Sequence, residues 1–213
     1  SRSMRRPARP ARPQRRRSLA SHNPITTVAR FVFGDHQLLT AGTYGTPELW
    51  DATTGRLLHS YARSHYLLDA TLSPAGDFIV GAWDETGGAV QSGRVHVYSG
   101  RTGALIRSHS SPNSEFGGSF GVSVAGIGDI NGDGRGDYIV GAYQEDGLGF
   151  TDSGRVYVYS GANGALIRTH TMPGAKNFGR FGFSVDGVPD LTGDNKPEYI
   201  VGATGAGAHG GVF

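Results

Sequence analysis

The 213 residues are enough for one large domain or two small ones with a proper core. Glycine fills 35 positions, charged residues make up only 18%, and there is no cysteine; this excludes a coiled coil, disulfides, thiolate metal sites and cysteine nucleophiles together. The net charge of +2 is uneven: residues 1–20 hold eight arginines and no acid, while the rest has 12 basic residues against 18 acidic ones, so the body is not a nucleic-acid surface.

In chain order, residues 1–24 read SRSMRRPARPARPQRRRSLASHNP. This Arg/Pro-rich tail has almost nothing apolar to offset its ordering entropy and is expected to be disordered. A polybasic arm for nucleic acid or anionic lipid is the functional alternative. Arg16-Arg17-Ser18-Leu19 fails as a secretory signal, because no apolar stretch follows. No apolar run in the chain reaches the length of a membrane helix.

From residue 25 the chain repeats itself. A loose first copy, 25–68, contains LLTAG (38–42) and ELWDATTGRLLHSY (48–61). The second, 69–110, contains DFIVGA (77–82), SGRVHVYSG (92–100) and GALIRSH (103–109). The third, 111–171, carries FGVSVAGIGD (120–129), DYIVGA (137–142), SGRVYVYSG (153–161) and GALIRTH (164–170). The fourth, 172–213, has FGFSVDGVPD (181–190) and EYIVGA (198–203), and stops at Gly211-Val212-Phe213, inside the segment equivalent to Arg155-Val156-Tyr157. Each copy falls into short apolar segments rich in β-branched and aromatic residues, separated by turn residues such as Ser160-Gly161-Ala162-Asn163-Gly164. Four antiparallel strands per copy predict an all-β fold of β-propeller blades, three and most of a fourth, either a fragment of a larger ring or a small ring; a β-solenoid has shorter coils than the 61-residue shift between the last two copies.

Two loops carry the chemistry. Asp129, Asn131, Asp133 and Asp137 place side-chain oxygens at positions 1, 3, 5 and 9 of DINGDGRGD, and the Arg135 carbonyl stands at position 7. Calcium takes six to eight hard oxygens, and alternate acceptors with Gly132 and Gly134 between them can wrap one ion. Position 12 is Val140, so this is not an EF-hand. Asp190, Thr192, Asp194 and Glu198 repeat the pattern in DLTGDNKPE, with the Lys196 carbonyl at position 7. Neutral Thr192 predicts a weaker calcium site than the first. Arg135-Gly136-Asp137 spells an adhesion tripeptide, but Asp137 is committed to the metal position. His109 and His170 share a repeat position and are expected to be structural. No helical zinc pair, nucleophile elbow or P-loop is present.

The pattern Phe-Gly, then D-x-N-x-D-G-x-x-D-Y-I-V-G-A, then GRVYVYSG, resembles the FG-GAP repeat of integrin α-chain propellers and bacterial surface proteins. Phe120-Gly121, Phe181-Gly182, Gly141-Ala142 and Gly202-Ala203 carry the resemblance; Tyr143 and Thr204 replace the usual proline. It is specific over 111–213 and partial over 69–110. Residues 25–68 resemble a WD repeat through Trp50-Asp51, with a half-present Ser64-His65 and with Ser73-Pro74 beyond; LWDATTGRLLHSY is also similar to quinoprotein blades, from which no cofactor is inferred. The resemblance implies a non-catalytic, calcium-binding module that binds a protein partner outside the cell or at its surface. An accessory propeller of a larger secreted hydrolase, phospholipase-like, and an intracellular WD-type scaffold are the alternatives.

Overall fold

The computed structural model describes residues 26–32, 37–42, 46–61, 67–72, 76–205 and 211–213. The arginine-rich segment 1–24 and the Ser64-His65 and Ser73-Pro74 pairs fall outside these. Every regular element among the described residues is a strand, as the β-branched and aromatic segments predict. Strands β1 (Thr26–Val32), β2 (Gln37–Gly42), β3 (Glu48–Asp51) and β4 (Arg56–Ser60) form the first sheet, in sequence order and antiparallel. The second sheet is built the same way from β5 (Leu67–Leu72), β6 (Phe78–Ala82), β7 (Arg94–Tyr98) and β8 (Leu105–Ser110). In the third are β9 (Ser123–Gly126), β10 (Tyr138–Ala142), β11 (Arg155–Tyr159) and β12 (Leu166–Thr171). The fourth holds β13 (Phe181–Val188), β14 (Glu198–Ala203) and β15 (Gly211–Val212). These are the blades of an all-β propeller, each packed on the next, with β5 against β1 and β2, β9 against β5 and β6, and β13 against β9 and β10.

The central strands of the second and third blades are apolar on both faces because each of these blades lies between two others. Successive side chains of a strand point to opposite sides. On β10, Tyr138, Val140 and Ala142 enter the core shared with the second blade, while Ile139 enters the core shared with the fourth. On β11, Tyr157 and Tyr159 face the second blade, and Val156 and Val158 the fourth. The same alternation sends Phe78, Val80 and Ala82 of β6 toward the first blade and Ile79 toward the third. Tyr98, Tyr157 and Tyr159 are therefore core residues.

The Phe-Gly and Gly-Ala pairs meet across these seams. Phe120 and Phe181 are buried, and their backbones bridge in parallel to Gly93 and Gly154 of the preceding blade. The next residue, Gly121 or Gly182, has a φ of 89° or 86° and turns its carbonyl onto a glycine of the preceding blade. A Cβ on Gly81 would lie 1.9 Å from the Gly121 oxygen, and one on Gly141 would lie 2.1 Å from the Gly182 oxygen. No side chain fits there, so the glycines set how closely the blades approach. Ser123 Oγ donates to the Gly182 carbonyl at 2.9 Å and adds a polar tie to the seam.

Candidate metal centres

Within each blade, the antiparallel order sends the first-to-second and third-to-fourth connections to one end and the second-to-third connection to the other. The two acidic loops, β9–β10 and β13–β14, are both of the first kind and lie at one end of the sheets, together with the β11–β12 hairpin.

The loops share one hydrogen-bond framework. In the first, Asp129 accepts from the N–H of Gly132 through Oδ1 (2.7 Å) and of Gly134 through Oδ2 (2.7 Å). Asp190 repeats both bonds with Gly193 (2.7 Å) and Asn195 (2.8 Å). Asp133 accepts from Arg135 N and Asp194 from Lys196 N, each at 2.9 Å. Asp137 Oδ2 accepts from Ile130 N at 3.0 Å, and Glu198 Oε2 from Leu191 N at 2.7 Å. The bonded residues are offset identically in the two loops, so the aspartates at positions 1 and 5 and the acid at position 9 shape the backbone before any ion is considered. The tight turns need left-handed backbone at Gly132 (79°), Gly134 (82°), Gly193 (80°) and Asn195 (64°).

The loops differ in what closes on them. The β11–β12 hairpin covers the first loop: Ser160 Oγ donates to Asp133 Oδ2 at 2.8 Å and Gly161 N to Asp137 Oδ1 at 3.0 Å. Asp137 is fully buried with an amide on each oxygen, and burial pushes its carboxyl above the ordinary value, with the Asp133 and Asp129 charges adding to the rise. Asp133 lies below its ordinary value, held there first by the Asn131 amide and then by the Ser160 hydroxyl. Of Arg135-Gly136-Asp137 only Arg135 is exposed; the burial of Gly136 and Asp137 keeps the carboxylate from a partner.

In the second loop the Thr192 hydroxyl donates to Glu198 Oε1 at 2.8 Å. Oxygens of Asp190, Asp194 and Glu198 come within 4.8 Å of one another, about twice a calcium–oxygen bond of ~2.4 Å. Asp190 sits below its ordinary value because backbone N–H groups, Gly193 first, converge on it. Among the described residues the structure thus gathers a three-carboxylate group in the loop expected to be weaker, while Asp129, Asp133 and Asp137 do not converge as tightly. The donor set, hard carboxylate oxygens in a tight turn, fits calcium. Sequence reasoning missed Ser160 and Gly161. The signal was present, since Ser-Gly follows the third strand in SGRVHVYSG and SGRVYVYSG alike, and Gly100 N donates to Asp77 Oδ1 at 3.3 Å in the second blade.

A profile of the FG-GAP repeat matches residues 120–159, the span from Phe120 through the first acidic loop to the end of β11. The chain carries an FG-GAP repeat. Integrin alpha-7 of Mus musculus and of Homo sapiens are each 31% identical to it over 162 residues, covering 70% of this chain and 12% of theirs. Integrin alpha-10 of Homo sapiens is 35% identical over 125 residues, covering 54% of this chain and 10% of its own. The chain spans about a tenth of the length of the curated relatives it matches. A solved structure of U3-55K shares the fold at a TM-score of 0.60 and 13% identity, over 88% of this chain and 47% of that one.

The opposite end of the blades has a different character. The loops 83–93, 111–122, 143–154 and 172–180 carry Val90, Phe116, Leu148, Phe150 and Phe178, all exposed. Leu148 (φ 55°) and Phe178 (φ 59°) are bulky residues in left-handed backbone. Backbone bonds from Gly117 N to the Val90 carbonyl (3.2 Å) and from Phe178 N to the Thr151 carbonyl (2.7 Å) tie neighbouring loops together. No helix among the described residues is long and apolar enough to cross a membrane.

Proposed function

We propose that this FG-GAP protein is a non-catalytic, calcium-stabilised β-propeller module that binds a protein partner outside the cell or at its surface. The observation that carries it is the meeting of Asp190, Asp194 and Glu198 in a loop whose hydrogen-bond framework recurs at Asp129, Asp133 and Asp137. Asp129, Asn131, Asp133, the Arg135 carbonyl and Asp137 would hold one ion. Asp190, Thr192, Asp194, the Lys196 carbonyl and Glu198 would hold the other. Bound calcium supplies positive charge where carboxylates repel, and so stiffens the turn joining the first two strands of a blade.

The partner surface in this reading is the far end, where exposed apolar side chains stand on tied loops. Strained backbone of this kind persists where the surrounding structure fixes it and clusters at binding sites. The integrin relatives add family-level support for adhesion. The blade limits used, 25–68, 69–110, 111–171 and 172–213, belong to the same proposal.

Calorimetric titration of the purified chain is the test. The expected result is saturable calcium binding with Kd on the order of 10⁻⁴–10⁻³ M, as in extracellular modules, and its loss in the double variant Asp129→Ala, Asp190→Ala. Absence of calcium-specific heat in the unaltered chain would refute the reading.

A further inference from the structure

Glu145 lies in the loop after β10, at the end of the blade away from the acidic loops, and its side chain is wholly buried. Two hydroxyls donate to it, Ser111 Oγ, directly after the last strand of the second sheet, to Oε1 and Tyr157 OH, on the third sheet, to Oε2, and those hydroxyls are 3.4 Å apart. Ser111 opens the 111–122 loop that leaves the second blade; Tyr157 belongs to β11 of the third. The 111–122 loop also closes over the acid, for a Cβ on Gly118 would come within 2.9 Å of Glu145 Cγ. Beside it, Glu115 Oε1 accepts from Asp146 N at 2.6 Å, so the two loops meet a second time.

The charges around Glu145 do little to hold it ionised. Arg155 Nε is 3.9 Å from Oε2 and donates instead to the Asp146 carbonyl at 2.9 Å. Glu115 faces it with the same sign. The second blade provides the contrast. Its corresponding Glu85 is partly exposed and pairs with His96 at 2.9 Å and Arg94 at 3.7 Å. In the third blade the histidine is replaced by Tyr157, so the acid is sealed among neutral hydroxyls. A buried carboxylate whose one nearby cation donates its hydrogen bond elsewhere disfavours its own charge.

We propose that Glu145, Ser111 and Tyr157 form a proton-operated clasp between the second and third blades, closed over a protonated carboxyl and loosened when that carboxyl ionises. Protonated, Glu145 has one hydrogen to give and an oxygen left to accept, and it packs dry beneath Gly118. Ionised, it draws water in, and the cover formed by the 111–122 loop opens away from the 143–154 loop. Burial accordingly pushes the Glu145 carboxyl up to about 7, which puts the switch near neutral pH. The clasp stands independently of what binds at this end.

Amide hydrogen exchange resolved by segment, with calcium held constant and rates corrected for intrinsic pH dependence, tests it. Between about pH 5.5 and about pH 8, amides of 111–122 and 143–154 are expected to exchange roughly tenfold faster at the alkaline end, while strand amides keep their protection. Glu145→Gln is expected to hold the slow rates throughout. Should that variant fold poorly, Tyr157→Phe removes one donor to the carboxylate and is expected to move the midpoint to higher pH. The carboxyl ¹³C resonance of Glu145 gives the direct readout. A midpoint in the ordinary carboxylate range, or the same pH profile in the unaltered chain and in Glu145→Gln, overturns the proposal.

Discussion

Asn195 holds in the second acidic loop the place of Gly134 in the first, and both backbones are left-handed there, at 64° and 82°. Asparagine tolerates that region and a β-branched residue does not, so Asn195→Val is expected to cost about 1–2 kcal/mol, read by urea unfolding in chelator. The candidate ligand positions could be proposed from the sequence because oxygens at alternate positions have few other uses, whereas the contacts that bear on their ranking could not. The more complete set, Asp129 to Asp137, is partly taken up by Ser160 and Gly161, which lie more than twenty residues further on in sequence. Asp190→Ala is therefore expected to abolish the tighter of the two calcium sites and Asp129→Ala the looser one, the reverse of the order that composition suggests; titration of the two single variants decides it. His109 makes a separate case. It stacks on Tyr159 at 4.4 Å and bonds the Tyr138 hydroxyl at 2.6 Å, and burial, with Arg107 adding to it, lowers its pKa to about 4. The folded state thus resists protonating it, and stability is expected to fall as pH drops from about 6.5 toward 4. The variant His109→Gln should show a shallower decline of melting temperature over that window.

Strands compare cleanly because the repeat supplies its own control. Ile139 of β10 is fully buried between the third and fourth blades, whereas its counterpart Ile200 of β14 is 39% exposed. Truncating Ile139 to alanine is expected to cost about 2–5 kcal/mol, and truncating Ile200 less than about 1.5 kcal/mol, measured by chemical denaturation of the two variants. Apolar runs rich in β-branched and aromatic residues predicted strands here, yet DYIVGA could not reveal which residue faced which neighbour, since all its apolar positions are buried on one side or the other. The reason for glycine in that segment lies in another blade. Gly141→Ala would press a methyl group against the Gly182 carbonyl and is expected to cost about 3 kcal/mol or more, far beyond the propensity difference between the two residues. The Phe-Gly element was recognised as a pattern, but its role as the carbonyl that meets Gly141 depends on a contact 41 residues away, which spacing does not encode.

For the molecule as a whole, calcium binding to the folded state alone should add stability by mass action, about 2.7 kcal/mol at a hundredfold excess over Kd. Melting in chelator, magnesium and calcium is expected to give rising temperatures in that order, because magnesium demands a rigid octahedron and holds its waters; coincident curves would leave the acidic loops as ordinary turns. The architecture was legible from the recurrence of four apolar segments, since a unit that cannot bury both faces alone must stack on copies of itself. The glycine seam gives that stacking a direction. The second and third blades each offer a socket, Gly81 or Gly141, on the second strand, and the next blade fills it with a plug, Gly121 or Gly182, where its first strand begins. Because socket and plug are backbone atoms, the junction is indifferent to the side chains on either side of it. A gene encoding such units can gain or lose one whole unit by duplication or deletion without redesigning a joint, and the near-identity of SGRVHVYSG and SGRVYVYSG is the kind of trace that such copying leaves.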